Sequence, residues 1–342
     1  MKIAIHNGSK GLNPKWAEYC KHNGIPYKIV NCYSNSIIDD LSDCDALLWH
    51  FHHNSPKDVL FAKQLLFSIE QAGKVTFPNF NSSWHFDDKL GQKYLFESFD
   101  IKLIPSYAFY SKEEASTWVN NVSFPKVWKL RGGAGASNVK LIKTKKEAFK
   151  IIKKAFGKGF SQFNAISLFK DRLVNYRKKE SNLKDLIKGF IRIFYPPLYS
   201  KVMGKDLGYV YFQDFIPELE FDYRTKVVEG KCWGYKRPVR DNDFRASGSG
   251  SDNYKYGENN VPIEVIKLSQ SIAKKLNMPN VAFDFVEDKN QQILLIESSC
   301  FFGDNNKEYI GYWDENLNWI EGYFKPEEWI IQGLIKKLEI NH

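Results

Sequence analysis

The chain has 342 residues, 43% of them hydrophobic and 15% aromatic, which is enough apolar material for a large core and enough length for two or three lobes. No stretch approaches the roughly 18 apolar residues of a membrane span, and the opening residues lack the basic-then-apolar plan of a signal peptide, so a soluble, cytoplasmic protein is expected. The formal charge of +9 admits nucleic acid, anionic lipid or an acidic substrate as partner, and the position of that charge decides among them.

Residues 2–6 read as a short apolar strand, 14–22 as a helix, 27–30 as a second strand and 46–49 as a third. This alternation predicts a parallel sheet with crossover helices. The segment Asn7-Gly8-Ser9-Lys10-Gly11 matches neither the dinucleotide fingerprint nor the P-loop spacing and reads as a strand-to-helix turn. Loops at the carboxyl ends of such strands nevertheless tend to face a ligand. His50, His52 and His53 surround Phe51 at the end of the third strand. No cysteine or carboxylate cluster completes a zinc shell there, so these histidines, with Trp49 and Trp84, are expected to line the wall of an acceptor-substrate site.

A helix is predicted over 88–99, where Asp87 and Asp88 suit the first turn and Leu90, Tyr94 and Leu95 form an apolar stripe. Residues 125–142 then read as strand, glycine-rich loop, strand. Residues 150–205 carry 14 Lys or Arg and 3 Asp or Glu, a net +11, so the rest of the chain sums to −2 and the basicity belongs to one helical stretch broken at Gly157, Gly159 and Pro196-Pro197. Two long strands are predicted at 209–216 and 221–234, a glycine and serine loop at 244–251, a helix over 262–276, and a hairpin-like pair at 281–286 and 293–297. The five cysteines are scattered without any Cys-x-x-Cys, which indicates reduced thiols and no zinc knuckle. There are no internal repeats.

Two constellations carry chemistry. Gly132, Gly133 and Gly135, with Ser137, form a loop whose backbone N–H groups can close over phosphate oxygens, because glycine leaves no side chain in the way. Lys129, on the preceding strand, points away from Trp128 and Leu130 and places a cation just before that loop. Far along the chain, Asp284 and Glu297 interrupt two apolar strands. A carboxylate in such a strand is costly to bury unless it meets a cation, and two facing carboxylates suggest Mg²⁺ completed by phosphate oxygens.

Together with Lys89, the segment Gln213-Asp214-Phe215-Ile216, Glu220 and Lys236, these motifs stand in the order and spacing of the ATP-grasp superfamily. The chain resembles the D-alanine–D-alanine ligases and the amino-acid ligases that modify the ribosome and peptides. The resemblance implies an α/β ATP-grasp fold: an N-terminal βαβ domain over 1–88, a small lobe over 89–210 with a basic helical insertion at 150–205, and a C-terminal lobe over 211–342, the lobes closing over ATP. It also implies a ligase that joins a carboxylate to an amine through an acyl phosphate, with ATP and Mg²⁺ as cofactors and an amino acid, peptide or acidic sugar as substrate.

By matched position, Lys89 and Lys129 would hold the ATP phosphates under the 132–137 loop, and Lys236 would reach the terminal phosphate. Backbone groups of Asp214 and Ile216 would read the adenine edge beside Phe215, and Glu220 would hold the ribose. Gln213 stands where the family commonly has an acid. Asp222 and Arg224 match an Asp-x-Arg pattern, with Arg224 directed at the carboxylate to be activated. Asp284 and Glu297 would bind metal, and Ser299 replaces the asparagine of the family's Glu-x-Asn. The family's arginine two positions before the first metal acid is Ala282 here, where Arg237 or Arg245 would stand in; one of Arg237, Arg245 and Arg224 would stabilise the oxyanion, and the 244–251 loop would face the acyl phosphate. Two competing classes are a nucleotide-binding protein without turnover and, ranked below it, a nucleic-acid binder built on the basic stretch. The insertion itself, which mixes aromatics and aliphatics with cations at 186–199, is expected to meet an anionic membrane surface or a polyanionic acceptor.

Overall fold

The computed structural model describes residues 1–133, 138–163, 165, 169, 172–173, 176–177, 181–195, 197–239, 254–302 and 310–341. The chain forms two compact units. One contains Met1–Phe86, Tyr94–Leu103 and Glu218–His342, and the other Asp87–Lys93 and Ile104–Pro217.

The first unit opens with the predicted parallel sheet: β1 (Ile3–His6), β2 (Tyr27–Val30), β3 (Ala46–Leu48) and β4 (Val75–Phe77), in the order β2-β1-β3-β4. β1 and β3 are buried along their whole length, which is why they read as unbroken apolar runs. Helices α1 (Asn13–His22), α2 (Ile37–Asp40), α3 (Pro56–Gln71) and α4 (Phe80–Ser83) make the connections. α3 starts where Ser55 accepts a hydrogen bond from the Asp58 N–H and a proline occupies the first turn, a strong start signal. α5 (Lys89–Ser98) then begins in the second unit and ends in the first.

The second unit is built on an antiparallel sheet of β5 (Ser106–Phe109), β6 (Lys126–Lys129), β7 (Val139–Ile142) and β10 (Val210–Asp214), ordered β5-β10-β6-β7. α6 (Lys112–Asn121) and α7 (Lys145–Ala155) are capped by Ser111 and Thr144, which accept from the Glu114 and Glu147 N–H groups. Ala115, Ile152, Trp128, Val210 and Phe212 form this unit's core. The basic stretch contributes a short pair, β8 (Phe160–Ser161) with β9 (Lys205–Asp206), and helices α8 (Leu183–Phe194) and α9 (Leu198–Met203).

The first unit's second sheet runs β15-β14-β11-β12-β16-β17, with β13 (Lys255–Tyr256) beside β12. The predicted strand at 221–234 is in fact two, β11 (Phe221–Val228) and β12 (Lys231–Pro238), paired antiparallel with Val228 opposite Lys231. Glu229 and Gly230 make the turn at φ 48° and 81°, positive at both positions as a two-residue hairpin of matching twist requires. β14 (Asn280–Glu287) and β15 (Ile293–Ser299) form the expected antiparallel pair, followed by β16 (Ile310–Trp313), β17 (Trp319–Tyr323) and α11 (Pro326–Asn341). α10 (Ile263–Lys275) buries Val265, Ile266 and Ile272 with Phe283 and Phe285 of this sheet. α11 and Phe301 instead join the core of the parallel sheet.

Candidate functional site

In the second unit the glycine-rich segment is tied to the start of α5. Lys89 donates from its backbone N–H to the Arg131 carbonyl (2.9 Å) and from Nζ to the Gly133 carbonyl (3.1 Å). The Gly133 N–H donates to both oxygens of Asp87 (2.9 and 3.1 Å), and Arg131 Nη2 pairs with Asp88 at 2.6 Å. Gly133 has φ 114°, a backbone region in which a side chain is strained. Lys129 is buried on β6, with Nζ donating to Gln213 Oε1 at 2.6 Å across the β6–β10 pair, and the Gln213 amide donates onward to Ser106 Oγ at 3.0 Å. Lys126, on the other face of β6, pairs with Asp214 at 2.6 Å. The two lysines of β6 therefore reach different residues of β10, Lys126 the Asp214 carboxylate and Lys129 the Gln213 amide.

In the first unit the acids and arginines fall into register. Glu297 of β15 is directly opposite Asp284 of β14, and Asp284 is opposite Arg224 of β11. The β14–β15 register slips between Asp284 and Phe285, a bulge of the kind that re-aims a side chain. Arg224 Nη1 donates to both oxygens of Asp284 at 2.9 Å. Arg237, opposite Asp222 on β12, grips that carboxylate with Nε and Nη2 (2.8 and 2.6 Å), and its Nη2 is 3.3 Å from Asp284. Burial pushes the Asp222 carboxyl up to about 6 against the pull of Arg237. Burial acts on Asp284 in the same sense, but the guanidinium groups of Arg224 and Arg237 overcome it and hold the group below the usual carboxylate range. Asp284 thus stays ionised while Asp222 takes up a proton first. Lys236 lies with Nζ 3.3 Å above the Phe221 ring, Glu220 is exposed, and the Ser299 hydroxyl donates to the Phe301 carbonyl.

The same unit contains a cavity of about 510 Å³ at the carboxyl ends of β1 and β3, lined among others by His6, Lys10, His50, His52 and Asp58. Its histidines are set by backbone donors. Cys32 N–H donates to His6 Nδ1 (3.2 Å) and Leu12 N–H to His50 Nδ1 (3.1 Å), so each neutral ring carries its proton on Nε2. Burial lowers all three imidazoles, His50 to about 3, so they are uncharged at neutral pH. Buried Asp58 accepts from the Tyr33 hydroxyl (2.5 Å) and the His52 N–H (2.6 Å). The His50 ring stacks on Phe301 with centroids 4.0 Å apart, and Phe301 lies just beyond the strand that carries Glu297 and Ser299. The cavity wall therefore packs, within one unit, against a residue two positions past the end of the acid-bearing strand.

No protein-family model and no curated protein matches the chain. Solved structures do. D-cycloserine synthetase DcsG aligns at a TM-score of 0.59 with 10% identity, covering 99% of this chain and 100% of that one. D-alanine–D-alanine ligase from Bacillus anthracis, solved with ATP, aligns at 0.57 with 13% identity over 100% and 98%. The RimK-domain ATP-grasp protein of Sphaerobacter thermophilus aligns at 0.53 with 12% identity over 87% and 89%. The chain has the ATP-grasp fold.

On this fold the sequence-predicted residues divide between the two units. Lys89, Lys129, Gly132, Gly133, Gln213, Asp214, Phe215 and Ile216 belong to one, and Glu220, Arg224, Lys236, Arg237, Asp284, Glu297 and Ser299 to the other. Gly135, Ser137 and Arg245 lie outside the described residues. Of the residues expected to wall an acceptor site, Trp49, His50 and His52 line the cavity. His53 instead packs edge-on against Phe86, and Trp84 against His85. His6, Tyr33 and Asp58 also line it and escaped sequence reasoning, because they come from three separate elements and no periodicity links them.

Proposed function

We propose that the chain is an ATP-dependent ligase that joins a carboxylate to an amine. The observation that carries this reading is the row Glu297–Asp284–Arg224 across β15, β14 and β11 in a chain of ATP-grasp fold. The fold neighbours include ligases, one of them solved with ATP. A carboxylate oxygen of the substrate attacks the γ-phosphorus of ATP, ADP leaves, and an acyl phosphate forms. The amine nitrogen then attacks the acyl carbon, inorganic phosphate leaves, and the nitrogen loses a proton.

Each assigned residue has a physical part in that sequence. Lys89 and Lys129 hold the ATP phosphates with the backbone of Gly132, Gly133 and Gly135 and the hydroxyl of Ser137. The 213–216 strand receives adenine, Glu220 the ribose, and Lys236 offsets charge on the transferring group. Asp284 and Glu297 are hard oxygen donors placed face to face, and the Ser299 hydroxyl keeps oxygen lone pairs while its proton is directed at Phe301. A pair of carboxylates is the donor set that suits Mg²⁺, an ion that binds through one or two carboxylates and takes the remainder from water and phosphate. Bound there, Mg²⁺ would neutralise phosphate charge. Arg224, with 19% of its side chain exposed against 6% for Arg237, is the better placed of the two to meet the substrate carboxylate. Arg237 is committed to Asp222 and Asp284 and acts by positioning them, which leaves Arg245 for the oxyanion. The uncharged Nε2–H donors of His6 and His50 and the Lys10 ammonium suit an acceptor-rich substrate in the cavity of the parallel sheet.

The test is release of ADP and phosphate with a panel of amino acids, uronic acids and amines, with hydroxylamine added to trap the acyl phosphate as a hydroxamate. Substrate-stimulated release that Lys129→Ala and Glu297→Ala each reduce by about a hundredfold or more is expected. Full activity in either variant overturns the site assignment, and nucleotide binding without any turnover leaves the ATP-binding reading in place of the ligase.

A further inference from the structure

α8 presents its apolar side the wrong way for a helix of a self-contained protein. Its inner face is fixed: Gly189 is buried, a Cβ there would lie 2.8 Å from Arg172 Cδ, and Arg172 Nη1 donates to the Asp185 carbonyl at 2.7 Å. The helix is capped by Asn182, whose side chain accepts from the Asp185 N–H. Yet Leu183, Ile187, Phe190, Ile191 and Phe194 each expose 48–66% of their surface. At about 100° per residue these five fall in one arc. Lys184, Lys188 and Arg192, all exposed, fall in the adjoining arc and border the apolar stripe along its length. Beyond the helix end, Tyr195 and Leu198 are exposed at 73% and 65%, continuing the apolar surface.

We propose that α8 is a membrane-surface helix that docks the protein on an anionic lipid bilayer, its apolar stripe in the acyl boundary and its lysines and arginine among the headgroups. The arrangement selects this occupant by charge complementarity. A water-soluble polyanion would pair with the cations but leave five large apolar side chains in water. A second copy of the chain, packed symmetrically on the same stripe, would bring the bordering cations against one another. A bilayer interface with anionic headgroups accommodates both halves of the surface at once. No helix among the described residues is long and apolar enough to cross a membrane, so the contact lies on the surface. The concentration of positive charge in residues 150–205, net +11 against −2 elsewhere, strengthens the attraction on the same unit. This inference is independent of the ligase reading.

The test uses the full chain with vesicles of phosphatidylglycerol and phosphatidylcholine, or of phosphatidylcholine alone, in a co-sedimentation assay. Binding to the anionic vesicles that weakens as salt is raised is expected, together with a loss of about tenfold or more in Lys184→Glu/Lys188→Glu/Arg192→Glu and in Ile187→Asn/Phe190→Ser/Phe194→Ser. The charged side chains are exposed, so the thermal midpoint of the first variant should be unchanged, while the second loses the edge-on contacts of Phe190 with Phe169 and Phe194 and should melt slightly lower. Phe194→Trp keeps the test open should a triple variant fold poorly: its fluorescence should shift to the blue on anionic vesicles and be quenched by lipids brominated in the acyl chain. No vesicle binding at low salt overturns the proposal. So does binding that survives the apolar substitutions or leaves the Phe194→Trp fluorescence unmoved, since that would be polyanion attraction alone. Self-association of the wild type that the apolar variant abolishes, without vesicle binding, would assign the stripe to a second copy instead.

Discussion

Glu229 occupies the turn between β11 and β12, where its carboxyl group lies against Gly333 of α11, close enough that a Cβ on that glycine would overlap it. Burial pushes this carboxyl up to about 7, against the pull of Lys231, Lys336 and Lys337. A folded-state pKa above the unfolded one means that the folded protein binds the extra proton. Stability should therefore be fully present below about pH 4.5 and be lost as pH rises through about 7. Allowing for partial solvent screening at a half-buried position, Glu229→Gln should stabilise the protein at pH 8 by about 2 kcal/mol and do little at pH 4. Urea midpoints at the two pH values check this, and an equal effect at both would show that packing, not ionisation, governs the site. Burial raises the Asp222 carboxyl too, but this carboxylate is one that a buried arginine needs. Asp222→Ala would leave Arg237 with Asp284 as its remaining carboxylate in the network and should cost about 3 kcal/mol, read as a lower urea midpoint with an unchanged slope. A loss below about 0.5 kcal/mol would mean that Asp284 alone suffices.

At the level of elements, the turn from β1 into α1 decides whether the histidine cavity exists. Gly11 has φ 69°, and a Cβ on it would stand 2.7 Å from the His50 ring. Gly24 has nearly the same backbone, φ 64°, with nothing within 4 Å of its Cβ position. Gly24→Ala should thus carry only the backbone cost of about 1 kcal/mol, while Gly11→Ala should add the displacement of His50, for about 2–3 kcal/mol in all. Gly11→Ala should also raise KM for the substrate that the ligase reading places in the cavity more than KM for ATP, and equal effects of the two substitutions would mean that the close approach to His50 carries no cost. How far such elements can be read in advance depends on the range of the interactions that set them. β1, β2 and the β14–β15 pair were legible because apolar runs and a polar turn are local signals, and Asp284 opposite Glu297 followed from them. The break between β11 and β12 was not: Val-Val-Glu-Gly-Lys-Cys-Trp continues an apolar strand, and glutamate seldom adopts positive φ. Missing that turn hid the Asp222–Arg237 pair, which exists only because the strand folds back on itself. The cavity was legible in part, as His50 and His52 just past the end of one strand, while Asp58 is presented by a cap at the start of α3 and His6 is oriented by a backbone N–H 26 residues away.

For the whole molecule, the ligase reading assigns the ATP phosphates to lysines of one compact unit and the metal to acids of the other, so nucleotide and metal should register separately in global stability. A ligand that binds only the folded state adds about 2.7 kcal/mol at a hundredfold excess over its Kd, which for a protein of this size raises the thermal midpoint by several degrees. ATP with Mg²⁺ should produce that rise in the wild type, and ATP with a chelator a smaller one, because the phosphates then keep the charge that the ion would neutralise. Glu297→Ala removes a carboxylate that the ligase reading gives to the metal, so its midpoint with ATP should no longer respond to Mg²⁺. Lys129→Ala should lose most of the rise with or without the ion. A wild-type rise that is indifferent to the chelator would leave Asp284 as the arginine-bound centre of a structural ion network and take Mg²⁺ away from β14 and β15. Equal behaviour of the two variants would remove the division of labour between the lysines and the acids.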